Sequence, residues 1–201
     1  MRQKRAPLPA FRGEGLRLRT FAAISVGALA AACAADAGAV EREHHVGADM
    51  GGAVLVVQDK STADVGGGAG AHWTYGLSDA LNLMAEGTCS LVALGERAQS
   101  RSTPQTRPSV VTNLDVGVGY VFDVLRWVPY AGLLVGSYVF SGGTIKSAHV
   151  LPGAALALGL DYRFDRSWSA GIAVRQHVFT DASTYPSYTQ VLARFDYAWG
   201  W

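Results

Sequence analysis

Residues 191–201 read Val-Leu-Ala-Arg-Phe-Asp-Tyr-Ala-Trp-Gly-Trp. The odd positions, Val191, Ala193, Phe195, Tyr197, Trp199 and Trp201, are apolar and end in a bank of aromatic rings. The even positions, Leu192, Arg194, Asp196, Ala198 and Gly200, carry an arginine, an aspartate and small residues. Period-two alternation makes this a β-strand with two unlike faces. Aromatics closing an apolar face, with charge on the other parity, is the pattern of a strand whose outer face meets lipid and whose inner face meets a narrow interior.

The opposite end of the chain agrees. Arg2, Lys4, Arg5, Arg12, Arg17 and Arg19 form a basic lead, Phe21 to Ala34 is a short apolar run, and Ala35-Asp36-Ala37 offers a small-x-small cleavage site. That order is a secretory signal, and the run is shorter than the roughly 20 residues of a spanning helix. Residues 1–37 are therefore expected to be a cleavable signal peptide and residues 38–201 one domain. Cys33 lacks the leucine three residues earlier that a lipidation site wants, since Ala30 stands there.

Of 17 basic and 16 acidic residues, six and two fall in the signal, leaving 11 and 14 and a mature charge of about −3. Nucleic acid, which wants a clustered basic face, is excluded as a partner. Cys89 is the only mature cysteine, so no internal disulfide can form. No cofactor is expected: Gly66-Gly67-Gly68 lacks the Lys-Ser/Thr of a phosphate loop, and His44 and His45 are adjacent on a strand and so point to opposite faces.

Eight alternating segments follow: about 45–57, 66–75, 81–91, 109–122, 128–140, 153–164, 168–179 and 191–201. In 128–140 the alternation is the least regular, because Leu133 and Val135 interrupt it. Short links (76–80, 123–127, 165–167) alternate with longer ones (58–65, 92–108, 141–152, 180–186). Roughly ten-residue alternating strands joined by alternately short and long connections describe a transmembrane barrel, the short turns being periplasmic. Two aromatic girdles are expected. One joins Trp73, Tyr75, Tyr120, Phe122, Trp127, Tyr130, Tyr162, Phe164, Trp168, Tyr197, Trp199 and Trp201 at the short-turn end; the other joins Tyr138, Phe140, Phe179, Tyr185 and Tyr188 at the long-loop end. A soluble ligand-binding barrel would share the alternation. Its solvated wall would be rich in Lys, Glu and Thr, whereas the second parity here holds glycine, alanine and opposed charges. The fold class is therefore all-β: an eight-stranded antiparallel up-and-down transmembrane barrel.

With these residues in view the chain resembles the small outer-membrane β-barrel proteins of Gram-negative bacteria, of the OmpA, OmpX and OmpW transmembrane kind. The resemblance is carried by the alternating Val191 to Trp201, by Tyr75-Gly76-Leu77-Ser78-Asp79-Ala80, and by Trp127-Val128-Pro129-Tyr130-Ala131-Gly132. It implies residence in the outer membrane, and it implies that Phe195, Tyr197, Trp199 and Trp201 serve as the signal read by the outer-membrane insertion machinery. Cell-wall anchoring is not implied, since no peptidoglycan-binding domain follows.

An eight-stranded lumen is just wide enough to be filled by side chains. At about 3.3 Å per residue and a tilt of about 40°, Glu86, Asp115, Arg175 and Arg194 all fall near mid-depth on the inward parity. Two carboxylates on strands three and four would face two guanidinium groups on strands seven and eight, with Asp49, Asp161, Arg163 and Asp196 as outer members of a network that plugs the lumen. Fork-shaped Arg–carboxylate pairs suit such a site. The expected function is a structural or surface role in the outer membrane, with a narrow channel for small solutes or ions as the alternative. An enzyme is not expected: lipid-modifying barrels of this kind place a serine two residues after a histidine, and Phe179 occupies that position after His177. Expected partners are outer-membrane lipid, the insertion machinery, and lipopolysaccharide, whose phosphates could meet Arg97, Arg101 and Arg107 of the longest loop. A monomer is expected.

Overall fold

The structure is a computed structural model that describes residues 42–57, 62–93, 107–122 and 126–200. The signal-peptide reading of residues 1–37, and Trp201, lie outside the described residues.

Eight strands follow one another: β1 (His44–Val57), β2 (Thr62–Gly76), β3 (Leu81–Val92), β4 (Val110–Val121), β5 (Trp127–Ser141), β6 (His149–Arg163), β7 (Trp168–Phe179) and β8 (Ser187–Trp199). Each pairs antiparallel with the next, and β8 returns to β1 with Arg194 opposite Asp49, closing the barrel. Closure leaves no sheet edge, so every ladder hydrogen bond is satisfied within the wall. β2 and β6 start four residues earlier than the alternation alone suggests, which shortens the long loops.

Two short turns show why they are tight. Leu77 and Ser78 both donate their backbone N–H to the Leu81 carbonyl, at 2.8 and 3.1 Å. Asp165 Oδ1 accepts from the backbone N–H of Ser167 and Trp168, at 2.7 and 2.9 Å, an Asx-type turn that starts β7.

Side-chain alternation sorts the wall. Leu114, Val116 and Val118 of β4, Leu156 and Leu158 of β6, Ile172 and Val174 of β7, and Val191 and Phe195 of β8 are exposed on the outer face, while their neighbours point inward. Strand β5 departs from the sequence expectation. Leu133 and Val135 do not interrupt its alternation; they are its outer face, 66 and 61% exposed, and Leu134 between them is buried in the lumen. Both parities of β5 are apolar because Val128, Tyr130, Leu134, Tyr138 and Phe140 all fill the interior.

That parity corrects the aromatic belts. Tyr138, Phe140, Phe179, Tyr185 and Tyr188 form no outer girdle: all five are buried inside the long-loop end. Tyr130 also points inward. Among the described residues the outer aromatics gather at the short-turn end, where Trp168 packs on Phe195 (5.1 Å between centroids) and Tyr197 (4.8 Å), and Trp199 on His44 (5.3 Å). At the long-loop end the outer face carries aliphatics such as Val65, Leu91, Val150 and Val178.

Candidate functional site

The lumen is filled in three layers. The layer nearest the short-turn end is built on Arg194 of β8. Its guanidinium reaches Asp196 (3.1 Å), Asp49 (3.5 Å) and Asp161 (3.8 Å), and donates to the Tyr130 hydroxyl, over whose ring it lies at 4.8 Å from the centroid. His72 of β2 stands between two carboxylates: Nδ1 is 2.8 Å from Asp49 Oδ2, and Nε2 meets Asp196 Oδ1. Arg194 Nη2 lies 2.6 Å from the same Nε2, so guanidinium, imidazole and the two carboxylates form one continuous cluster. Arg163 reaches Glu43 at 3.5 Å, and His45 Nε2 lies 3.3 Å from the same carboxylate. Gly47 is required here by close approach, because a Cβ would overlap the His72 ring.

At mid-depth, Arg175 is fully buried and donates from Nε to both oxygens of Glu86, at 2.9 and 3.2 Å. Both its terminal nitrogens reach the Tyr130 hydroxyl, at 3.2 and 3.3 Å. Tyr130 thus joins the two arginine clusters, and its ring has room because residue 159 is glycine: a Cβ there would overlap it. Glu86 lies directly opposite Asp115 in the β3–β4 register. Like charges in that position repel, and each finds its own partner: Glu86 takes Arg175, and Asp115 accepts from Asn113 Nδ2 at 2.5 Å. Beyond them Thr88 donates to Asn113, and Gln190 Nε2 lies 3.0 Å from Thr88, 3.1 Å from Ser90 and 2.9 Å from Tyr188. His177 completes the layer, with Nδ1 2.9 Å from the Tyr138 hydroxyl and Nε2 3.1 Å from Gln190 Oε1.

The third layer closes the long-loop end. Ala53, Leu55, Val57, Val92, Val111, Tyr138, Phe140, Phe179, Tyr185 and Tyr188 make one buried apolar cluster. Phe140 stacks on Tyr185 (4.5 Å, 6°) and meets Phe179 edge-on (5.1 Å). Tyr185 reaches in from the β7–β8 loop, and burial pushes its phenol up to about 12, so it stays uncharged. Above the cluster, Arg107 pairs with Asp64 through two hydrogen bonds, and both side chains are buried. The Arg107 backbone is tied to Thr144 of the β5–β6 loop, and Gly143 (φ 62°) fits against the Arg107 carbonyl without a side chain.

All eight charged residues expected in the lumen point inward. Glu86 and Arg175 meet across it. Arg194 gathers Asp49, Asp161 and Asp196, and Arg163 stands beside Glu43 at the short-turn mouth. Asp115 differs: among the described residues no arginine lies within ion-pair distance of it, and Asn113 takes that place. Phe195, Tyr197 and Trp199 line the outer face, 51, 40 and 39% exposed. Of the three arginines expected to meet lipopolysaccharide, Arg107 is buried and paired with Asp64, and Arg97 and Arg101 lie outside the described residues. His177 and Phe179 both face the lumen, and Ser183 is an exposed loop residue bonded to Asp181 at 2.6 Å. Sequence reasoning missed Tyr130, Gln190 and Asn113 as network members, and the inward parity of Gln190 and Asn113 was the available signal.

The comparisons with known proteins point one way. The family model described as the outer membrane protein beta-barrel domain matches residues 21–198. No curated protein matches the chain. Among solved structures, Neisserial surface protein A is 14% identical, with 82% of this chain and 99% of that one covered and a TM-score of 0.58. Ail, the attachment invasion locus protein of Yersinia pestis, is 13% identical, with 79 and 99% covered and a TM-score of 0.55. OprG from Pseudomonas aeruginosa is 12% identical, with 80 and 98% covered and a TM-score of 0.51. At such identities the likeness is one of fold. A closed eight-stranded barrel with a lipid-type outer face, matched by that family over most of its length, places the protein in the bacterial outer membrane, and the chain belongs to the outer membrane protein β-barrel family.

Proposed function

We propose that this is a non-conducting outer-membrane barrel with a structural or surface role. The observation that carries the reading is the buried apolar cluster at the long-loop end. Phe140, Phe179, Tyr185 and Tyr188 fill the lumen from wall to wall beneath the Arg107–Asp64 pair. An ion crossing it would have to shed its water against ring faces, with only the phenolic oxygens of Tyr185 and Tyr188 to compensate. The charged layers below act as internal struts, and the Phe195–Tyr197–Trp199 face of the closing strand serves as the insertion signal. The lumen-facing histidine and the phenylalanine two residues beyond it support a non-enzymatic role. With Arg107 committed to Asp64, contact with lipopolysaccharide phosphates falls to the rest of that loop.

Planar-bilayer recording of the purified barrel tests the proposal. A silent membrane over a wide voltage range is expected. Steady ohmic current from the parent protein would sink the closed reading in favour of a narrow solute or ion channel, which the polar middle of the lumen would then serve.

A further inference from the structure

The short-turn end of the lumen opens into a cavity of about 40 Å³, whose wall includes Thr74, Asn82, Asp161, Arg163, Arg194 and Asp196. That is room for a small ion with one or two waters. Seven polar atoms around the lumen lack a hydrogen bond among the described residues, and apart from Asp115 Oδ1 at mid-depth they fall into two sets. Arg194 Nε and Asp49 Oδ1 face each other at 3.5 Å, and His45 Nε2 faces Glu43 at 3.3 Å, so these are near-partners. The remaining three on the cavity residues are Asn82 Oδ1, Asp161 Oδ1 and Asp196 Oδ2. All three are acceptors, and Asn82 and Asp196 are only 6 and 2% exposed. Buried acceptors without donors are costly, which makes the wall short of positive charge or donors.

The charge balance agrees. Glu43, Asp49, Asp161 and Asp196 surround the site, against Arg163, Arg194 and His72. The four carboxylates outnumber the two guanidinium groups, and the His72 imidazole is shared between Asp49, Asp196 and Arg194. Among the described residues no three His, Cys, Asp or Glu side chains stand close enough to hold a metal ion, which disfavours a divalent cation, whose binding draws on several carboxylates. Two carboxylate oxygens and one amide oxygen, with guanidinium groups nearby, suit a single charge. We infer that this cavity binds one monovalent cation of sodium, potassium or ammonium size, held by Asp161, Asp196 and Asn82 and admitted from the periplasmic side. The inference does not depend on whether the lumen is closed further up.

The test uses the folded barrel in detergent micelles at about pH 8.5, where ordinary histidine is uncharged. Thermal midpoints are compared in potassium, ammonium and choline chlorides at equal ionic strength, choline being too large for the cavity. A midpoint about 3 °C higher in the small cations is expected, together with thallium(I) anomalous density between the three side chains in crystals grown with that ion. Asn82→Leu should shrink the difference. Asp161→Asn should abolish it while leaving the choline midpoint no lower than the parent's, since it removes one of the excess carboxylates. Equal midpoints in potassium and choline, no thallium peak in the cavity, or an Asp161→Asn variant that loses stability equally in every salt would each overturn the inference. The last would mean that a proton or water already balances the site.

Discussion

Arg175 shows most plainly what a single residue does here. It is fully buried, and its charge is met by one carboxylate and one phenol. Replacing Glu86 by leucine leaves that guanidinium without a counter-charge, and breaking a buried pair from one side costs about 3–5 kcal/mol. The urea midpoint of Glu86→Leu, followed by tryptophan emission, should fall accordingly. Glu86→Leu combined with Arg175→Met should recover much of the loss, because removing both charges removes the desolvation cost too. A gentler prediction concerns Asp181 in the β7–β8 loop. Hydrogen bonds from Ser183 and Thr184 hold its carboxyl below the usual carboxylate range. A depressed folded-state pKa contributes stability at pH values above the ordinary carboxylate range, lost as the pH falls through the folded value. Ser183→Ala should therefore move the Asp181 titration, read by NMR, back up toward its ordinary value, with little change in global stability because the group is exposed.

At the scale of the element, β5 carries the lesson. In β3, β4 and β8 one parity is polar, so the inward face could be read from residues such as Glu86, Asp115 and Arg194. In β5 both parities are apolar, and hydrophobicity carries no sign of which side is lipid. The same ambiguity hid the apolar cap: Tyr138, Phe140 and Phe179 at strand ends look like girdle residues whichever way they point, and only the ladder register turns them inward. The Arg194 cluster was legible as inward charge, but its partners were not, because pairing across a lumen depends on side-chain reach rather than on spacing along the chain. Adjacent positions in β5 test the assignment. Leu133→Arg places charge on the lipid face and should cost about 2–4 kcal/mol near mid-membrane. Leu134→Ala leaves a void in the lumen and should cost about 2–5 kcal/mol, with no change in how the barrel partitions into vesicles. If Leu133→Arg is neutral and folds normally, the parity drawn for β5 is wrong.

For the whole molecule the layers act in series. The apolar cap closes the long-loop end, the Glu86–Arg175–Tyr130 layer crosses mid-depth, and the Arg194 cluster stands at the short-turn mouth. A barrier made of consecutive constrictions is opened only when each is removed, because the narrowest remaining one sets the current. Trimming the cap with Phe140→Ala, Tyr185→Ala and Tyr188→Ala together should leave the bilayer silent, since Arg175 still meets Glu86 and Tyr130 across the lumen. Cutting the middle layer with Glu86→Ala, Arg175→Ala and Tyr130→Ala should also leave it silent under an intact cap. Combining the two sets should give a steady ohmic current. That current should favour cations, because Glu43, Asp49, Asp161 and Asp196 outnumber Arg163 and Arg194 at the remaining mouth, and a ring of excess carboxylate attracts positive ions. Reversal potentials in a salt gradient read the preference directly. Full conductance from the cap variant alone would mean that the charged layers do not obstruct the lumen and that the barrier resides in the rings, whereas an anion-selective current would mean that the arginines rather than the carboxylates set the field at the mouth.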